Sequence, residues 1–353
     1  MLFIHVYNDI ISTTLQNGFS FTYVYSFNYM SYTVGSLFAG IGGICQGFKD
    51  AGCNIIWANE FDKKACETYE SNFHMGGSLH CKDIHDIKNP KELGDVDILT
   101  SGFPCQAFSV AGYRKGFDDP RGNLFFETAR FIKKIKPKAF LLENVKNLKG
   151  HDKGNTFKVI EEIITKDLGY SFTYFVLNSK DYGNTPQTRE RIYIVGFKNE
   201  ANGGKCADNF QIPGKIKLTK SIRDVLHSEQ QDDKYYYNKD HQYYPSLIKE
   251  IKSKDTVYQW RRVYVRENKS NLCPTLTANM GTGGHNVPLI KDDYGIRKLT
   301  PIECAKFQGF PDSFRFPKDM ANSHCYKQAG NSVVVPVVKR IAQEIVRVLE
   351  LKP

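Results

Sequence analysis

The sequence predicts an α/β protein: a doubly wound, mostly parallel sheet covered on both faces, joined to a smaller irregular domain. Three observations predict it. Apolar, β-prone runs alternate with helix-spaced runs through the first two thirds of the chain. A glycine-rich turn closes the first convincing strand, where open α/β folds commonly hold ligands. From about Lys198 to Lys298 the composition shifts to Gly, Asn, Lys and Tyr, with little helical period.

Taken in order, Tyr32 to Phe38 is the first strand, followed by the turn Ala39-Gly40-Ile41-Gly42-Gly43. A short helix runs to about Ala51, with Gly52 as its C-terminal cap. Asn54 to Ala58 reads as a strand and Lys63 to Tyr69 as a helix. Val96 to Thr100 is a further strand, ending at Ser101-Gly102-Phe103-Pro104-Cys105. Helical spacing from Leu124 to Lys136 stops at Pro137. Strand Ala139 to Leu142, helix Thr156 to Leu168 and strands Phe172 to Leu177 and Arg191 to Gly196 continue the alternation. An amphipathic helix, Val337 to Leu351, returns at the C-terminus. The expected organisation is an α/β domain over 30–197, the irregular domain over 198–302, a hinge over 303–330, and a C-terminal helix over 331–353. Residues 1–29 carry neither helical nor strand periodicity and read as a peripheral extension.

A chain of 353 residues, 41% hydrophobic and 24% charged, can bury a core without a disulfide or metal staple. The nine cysteines are scattered and form no C-x-x-C pair, which argues against both a disulfide framework and a zinc site. No bound metal is expected, and a reducing cytoplasm suits the thiols. No apolar run reaches the ~18 to 20 residues of a membrane span, and no signal-peptide pattern opens the chain. The formal charge of +10 and pI near 9.0 favour a polyanionic partner, most commonly nucleic acid.

Two groups of residues carry chemistry. Phe38-Ala-Gly40-Ile-Gly42-Gly43 lies between a strand and a helix, where glycines let a ligand approach the backbone. Glu60, twenty residues after Gly40, ends the next strand, where a carboxylate can accept from both hydroxyls of a ribose. A nicotinamide-type fingerprint is broken, because its third glycine position is Cys45. The plainer alternative is an ordinary turn with an exposed Glu. The second group starts with Cys105, in a turn after a strand rather than on a core face. Glu143, at the end of another strand, comes to the same sheet edge, and Gln187-Thr-Arg189-Glu-Arg191 adds two guanidiniums. In isolation, Cys105 would read as a small buried hydrophobe and the arginines as a solvated cluster.

The ordered motifs decide between these readings. Phe38-Ala-Gly-Ile-Gly-Gly, Asn59-Glu60, Gly102-Phe-Pro-Cys-Gln106, Glu143-Asn-Val145, Gln187-Thr-Arg-Glu-Arg191, Arg297-Lys-Leu-Thr-Pro301 and Gln328-Ala-Gly-Asn-Ser332-Val appear in sequence. Together they resemble the cytosine-carbon-5 DNA methyltransferases, especially the compact bacterial restriction–modification type, over about Val34 to Leu351. The resemblance implies the S-adenosylmethionine-dependent methyltransferase fold and that cofactor. It implies transfer of a methyl group to carbon 5 of a cytosine flipped out of double-stranded DNA. Cys105 would be the nucleophile toward carbon 6, Glu143 the proton donor at ring nitrogen 3, and Arg191 the donor to the carbonyl, with Arg189 beside it. Phe38, Gly40, Gly42, Glu60, Phe61, Asp83, Ile84, Pro104, Leu124, Asn331 and Val333 match positions that line the cofactor. The loop Gln106 to Arg121 corresponds to the family's mobile active-site loop.

The irregular domain would then recognise the target. Its stretch Tyr258 to Lys269 mixes basic and aromatic residues. Arg261, Arg262, Arg266 and Lys269 suit phosphates or guanine edges, and a basic strand face is the plainer reading. Thr275-Leu276 resembles a dipeptide of the family's recognition regions, and the loop 281–284, with Gly283, suits close approach to DNA. A monomer is expected, located in the cytoplasm or at the nucleoid, with a restriction endonuclease acting on the same site. Two rivals remain. Methylation of transfer RNA is disfavoured by the fuller recognition region and the missing Cys-Phe-Thr signature. An inactive DNA-binding relative is disfavoured by intact Cys105, Glu143 and Arg191.

Overall fold

The computed structural model describes residues 3–7, 10–14, 20–24, 31–73, 77–104, 124–199, 206–261, 263–282 and 286–351. Cys105, Arg262, Gly283 and the loop Gln106 to Arg121 therefore lie outside the described residues. Residues Met1–Ser31 form one unit and Tyr32–Pro353 another. The first unit corrects the expectation of an aperiodic extension. β1 (Phe3–Tyr7), β2 (Ile10–Thr14) and β3 (Ser20–Val24) pair in an antiparallel sheet. Their Ile, Val, Thr and Tyr content suits strands even without polar alternation.

The second unit begins with β4 (Thr33–Leu37), α1 (Gly43–Asp50), β5 (Asn54–Glu60), α2 (Lys63–Asn72), β6 (Ser78–Cys81) and β7 (Ile98–Ser101). It continues with α3 (Leu124–Ile135), β8 (Ala139–Val145), α4 (Asn155–Glu162), β9 (Tyr170–Asn178), α5 (Ser179–Tyr182) and β10 (Glu190–Lys198). The seven strands lie in the order β6-β5-β4-β7-β8-β10-β9, parallel except that β10 runs against both its neighbours. From β4 the chain winds outward first through β5 and β6, then the other way through β7 and β8. The carboxyl ends of β4 and β7 thus flank the topological switch point, where such sheets open a crevice.

Strand alternation builds a core on each face. Ala139 and Leu141 of β8 and Tyr193, Val195 and Phe197 of β10 face one cluster, with Phe48, Val338, Ile341 and Ile345. Phe140, Leu142, Ile192 and Ile194 face the other, with Phe131, Ile132 and Ile160. A Cβ on Gly47 would meet Val338 Cγ1 at 2.6 Å, so this glycine lets the C-terminal helix lie close on α1. The segment after β10 also stays with the sheet: Phe210 packs beside Phe175 at 5.6 Å between ring centroids.

The region expected to be irregular holds α6 (Tyr244–Glu250) and β11 (Tyr258–Arg261), β12 (Tyr264–Glu267), β13 (Leu289–Lys291) and β14 (Ile296–Lys298). These strands form an antiparallel sheet in the order β12-β11-β13-β14. Strands of three and four residues are too short to show a period in the sequence. α7 (Pro301–Phe307), α8 (Asn322–Asn331) and α9 (Val335–Glu350) follow. α7 is two-sided. Its Cys304 and Phe307 join a cluster with Cys273, Leu276 and Met280, whereas Ala305 joins Ile41, Phe310 and Val335. Arg297, fully buried, is held between Glu303 and Asp292 at 2.7 and 2.6 Å, and Thr300 with Glu303 closes a capping box on α7. Burying this guanidinium is tolerable because both carboxylates accept from it.

Candidate active site

The glycine turn follows β4 directly. Phe38 has φ of 53°, an unusual value for a residue with a side chain, and Gly40 and Gly42 follow at 55° and 88°. Such strain persists where the surroundings fix it, often at a functional site. The fixing contact is visible: Gly40 N–H donates to Glu60 Oε2 at 2.8 Å. Glu60 Oε1 accepts from the Phe61 and Asp62 amides, both at 2.9 Å. Three amides leave room for about one more donor on this carboxylate. Beside it the Phe61 ring is 65% exposed, and nothing lies within 4 Å of where a Cβ on Gly40 would point.

Of the remaining cofactor candidates, Val333 abuts this turn, and Ile84 and Leu124 share a cluster with Phe38. A Cβ on Gly43 would meet Ser332 Oγ at 2.5 Å and Val333 Cγ2 at 3.0 Å, so the end of α8 abuts the turn, with Asn331 exposed there. Asp83 is an exposed carboxylate that accepts from the His85 amide, the contact that most strongly holds it below the usual carboxylate range. Ile84 is buried beneath, in the cluster on which Phe38 and Leu124 also pack. Pro104, exposed, ends the described part of its loop.

The second group meets at the ends of β7, β8 and β10. A Cβ on Gly102 would lie 3.8 Å from Glu143 Oε2 and 3.9 Å from the Phe38 carbonyl oxygen. Asn144 Nδ2 donates to the Phe103 carbonyl at 2.9 Å, holding the chain that leads into Cys105. Glu143 itself is 12% exposed, with Arg191 Nε 3.1 Å from its Oε1. Burial pushes the Glu143 carboxyl up, and Arg191 and then Arg189 pull it back only in part. A carboxyl raised in this way retains a proton to donate. Just outside, a cleft of about 420 Å³ is lined by Val145, Lys146, Asn178, Thr188, Arg191 and Thr275.

Residues 32–347 match the family model described as C-5 cytosine-specific DNA methylase. The chain belongs to that family. It is a DNA (cytosine-5)-methyltransferase, which sets the transfer RNA and inactive readings aside. It is 56% identical to the Type II methyltransferase M.Bsp6I of Bacillus sp. (strain RFL6), over 88% of this chain and 98% of that one. It is 39% identical to the Type II methyltransferase M.HhaI of Haemophilus parahaemolyticus, over 90% and 95%. Among solved structures, the Dnmt2 methyltransferase of S. pombe aligns with a TM-score of 0.69 at 22% identity. That alignment covers 91% of this chain and 100% of the other, and bears on the fold alone.

The methylase departs from the sequence reading at Arg189. Arg189, expected beside Arg191 among the catalytic residues, is 3% exposed and bonded to three backbone carbonyls, those of Leu276, Gly330 and Ser332. It clamps the segment at Leu276 and the end of α8 onto the seven-stranded sheet. Gln187, in the same motif, is fully buried and does similar work. Its amide donates to the Phe307 carbonyl at 2.8 Å and accepts from the Leu276 amide at 3.1 Å. Thr275 belongs to the same seam, because its hydroxyl donates to the Thr188 carbonyl. The Cys273 amide donates to Pro186 O at 2.8 Å and the Thr188 amide to Cys273 O at 2.9 Å. Arg261, Arg266 and Lys269 are all exposed on or just beyond the β11–β12 hairpin.

Proposed function

We propose that this methylase modifies cytosine within a short specific sequence of double-stranded DNA, with S-adenosylmethionine as methyl donor. The likeness to Type II methyltransferases supports a place in a restriction–modification system, with an endonuclease cutting the same unmodified site. No helix among the described residues is long and apolar enough to cross a membrane. None of their acidic, His and Cys side chains group as a metal site. The proposal is of a monomer acting on DNA in the cytoplasm.

The observation that carries the reading is the meeting of Gly102, Glu143 and Arg191 at the ends of β7, β8 and β10, beside the switch point of the sheet. Cytosine carbon 5 is a poor nucleophile until carbon 6 is attacked. Cys105, three residues beyond Gly102, supplies the thiolate for that bond. Addition drives electron density onto ring nitrogen 3 and the carbonyl at position 2. Glu143 gives its proton to the nitrogen, and Arg191 donates to the carbonyl oxygen. Carbon 5 is left nucleophilic; S-adenosylmethionine, when bound, supplies an activated methyl group for it. Water takes the carbon 5 proton, the carbon 6–sulfur bond breaks to release the thiolate, and ring nitrogen 3 returns its proton to Glu143. Glu60, Phe61, Asp83, Gly40, Gly42 and Asn331 would hold the cofactor, and their surroundings fit it. The carboxylate keeps one acceptor position free, the ring is bare, and the turn is open at Gly40. Residues 198–302 would read the sequence, with Arg261, Arg262, Arg266, Lys269 and Gly283 on the DNA side.

Expression in a host free of cytosine methylation, followed by base-resolution mapping of 5-methylcytosine, tests the function. One short motif should be methylated throughout; unmodified DNA from cells making folded protein would refute the reading. The cofactor site has its own test. Glu60→Ala should weaken S-adenosylmethionine binding by roughly 1.5 to 3 kcal/mol, the range for a hydrogen bond to a charged group. Calorimetry that finds an unchanged dissociation constant would reduce Glu60 to a backbone support for its turn.

A further inference from the structure

The register of the β11–β12 hairpin sorts its side chains cleanly. Gln259 pairs with Arg266 and Arg261 with Tyr264, so these four share one face. The opposite face carries Tyr258 and Val265, which join a buried cluster beside Trp260. On the outer face both guanidiniums converge on one atom: Arg261 Nη2 and Arg266 Nη2 each donate to Gln259 Oε1. Neither arginine has a carboxylate partner among the described residues. Arg130, Arg191, Arg223 and Arg347 each have one and Arg297 has two, whereas Arg189 is bonded to backbone carbonyls instead. Val263 and Tyr264 at the tip are 86% and 57% exposed. The hairpin is rooted near the catalytic cleft, because Thr256 and Asn268 bind across its base and Cys273 to Thr275 then dock on Pro186 and Thr188.

Two like charges drawn together by a neutral amide oxygen gain little from each other. The arrangement is favourable only against a partner rich in acceptors. We infer that the outer face of β11–β12 is a base-reading ribbon, in which Gln259 positions Arg261 and Arg266 for a guanine in the major groove. The inference rests on the DNA methyltransferase reading and deepens it by naming the specificity determinants. Guanine offers two acceptors, N7 and O6, in the plane a guanidinium fork requires, and the major groove admits a two-stranded ribbon. Phosphate binding needs the charge but not the tether. Gln259 touches no base in this account: it is a positioning residue.

The test compares full-length wild type with Gln259→Leu and Arg266→Lys. Wild-type methylation of unmodified genomic DNA first defines the site. kcat/KM is then measured on that duplex and on duplexes with each base pair replaced in turn. Each variant is expected to lose about tenfold in discrimination at one guanine-containing base pair and to keep it at the others. Arg266→Lys preserves the charge at an exposed position, so its melting temperature and the salt dependence of its DNA affinity should match wild type. A variant with unaltered discrimination, or with an equal loss at every position, overturns the ribbon and assigns these arginines to phosphates. A wild type that methylates no cytosine overturns the methyltransferase reading, and the ribbon with it.

Discussion

Cys105→Ser should lose nearly all turnover while still binding its DNA target. A neutral hydroxyl is a far weaker nucleophile than a thiolate, and no neighbouring histidine is available in the motif to activate it. The wild-type thiol faces a smaller problem. At an ordinary pKa of ~8.5 it is a few per cent ionised at neutral pH, and a shift of about 1.5 units, on the order of 2 kcal/mol, would correct that. Single-turnover methylation of the mapped duplex checks the loss, and gel retardation on the same duplex checks retained binding.

Glu143→Gln should lower kcat on the order of 10² to 10⁴-fold, the usual contribution of a positioned proton donor. The amide keeps the size of the side chain and can still donate a hydrogen bond, but it cannot deliver a proton to ring nitrogen 3. The pH profile distinguishes this from simple damage. Burial raises the Glu143 carboxyl, so its proton is present at low pH and lost as pH rises through the elevated pKa. Wild-type kcat/KM should therefore fall on the alkaline side, against a rising limb from ionisation of Cys105. The glutamine variant should lose the falling limb. A variant that retained both limbs at reduced amplitude would mean that Glu143 supports the site without giving up a proton.

The parts of this site that could be read from sequence are those governed by one strand and the turn after it. Phe38 to Gly43, Glu60, Gly102 to Pro104 and Glu143 each end a parallel strand, and all such ends fall on one edge of the sheet. Knowing that the strands existed was enough to bring these residues together. Arg189 and Gln187 needed more. Their partners are remote in sequence: Arg189 reaches carbonyls 87, 141 and 143 residues away. A charged residue beside another charge looks solvated until the segments that bury it are in place. The β11–β12 ribbon was legible as composition but not as geometry, because a four-residue strand shows no period. What selected Arg261 and Arg266 was charge; what pairs them is Gln259, an uncharged residue with no signal of its own. The strands of residues 3–24 were missed for a related reason, since their alternation is weak and only their β-branched content points to them.

Covalent capture tests the central claim most directly. Wild-type protein is incubated with S-adenosylmethionine and duplex DNA carrying 5-fluorocytosine at the mapped target position. Attack on carbon 6 and methylation can proceed, but fluorine cannot leave carbon 5 as a proton does, so the enzyme should remain attached. The account predicts an adduct that survives denaturation, with the nucleotide on the peptide containing Cys105, and no adduct with Cys105→Ser. Active protein that forms no adduct, or one attached through another residue, would contradict it.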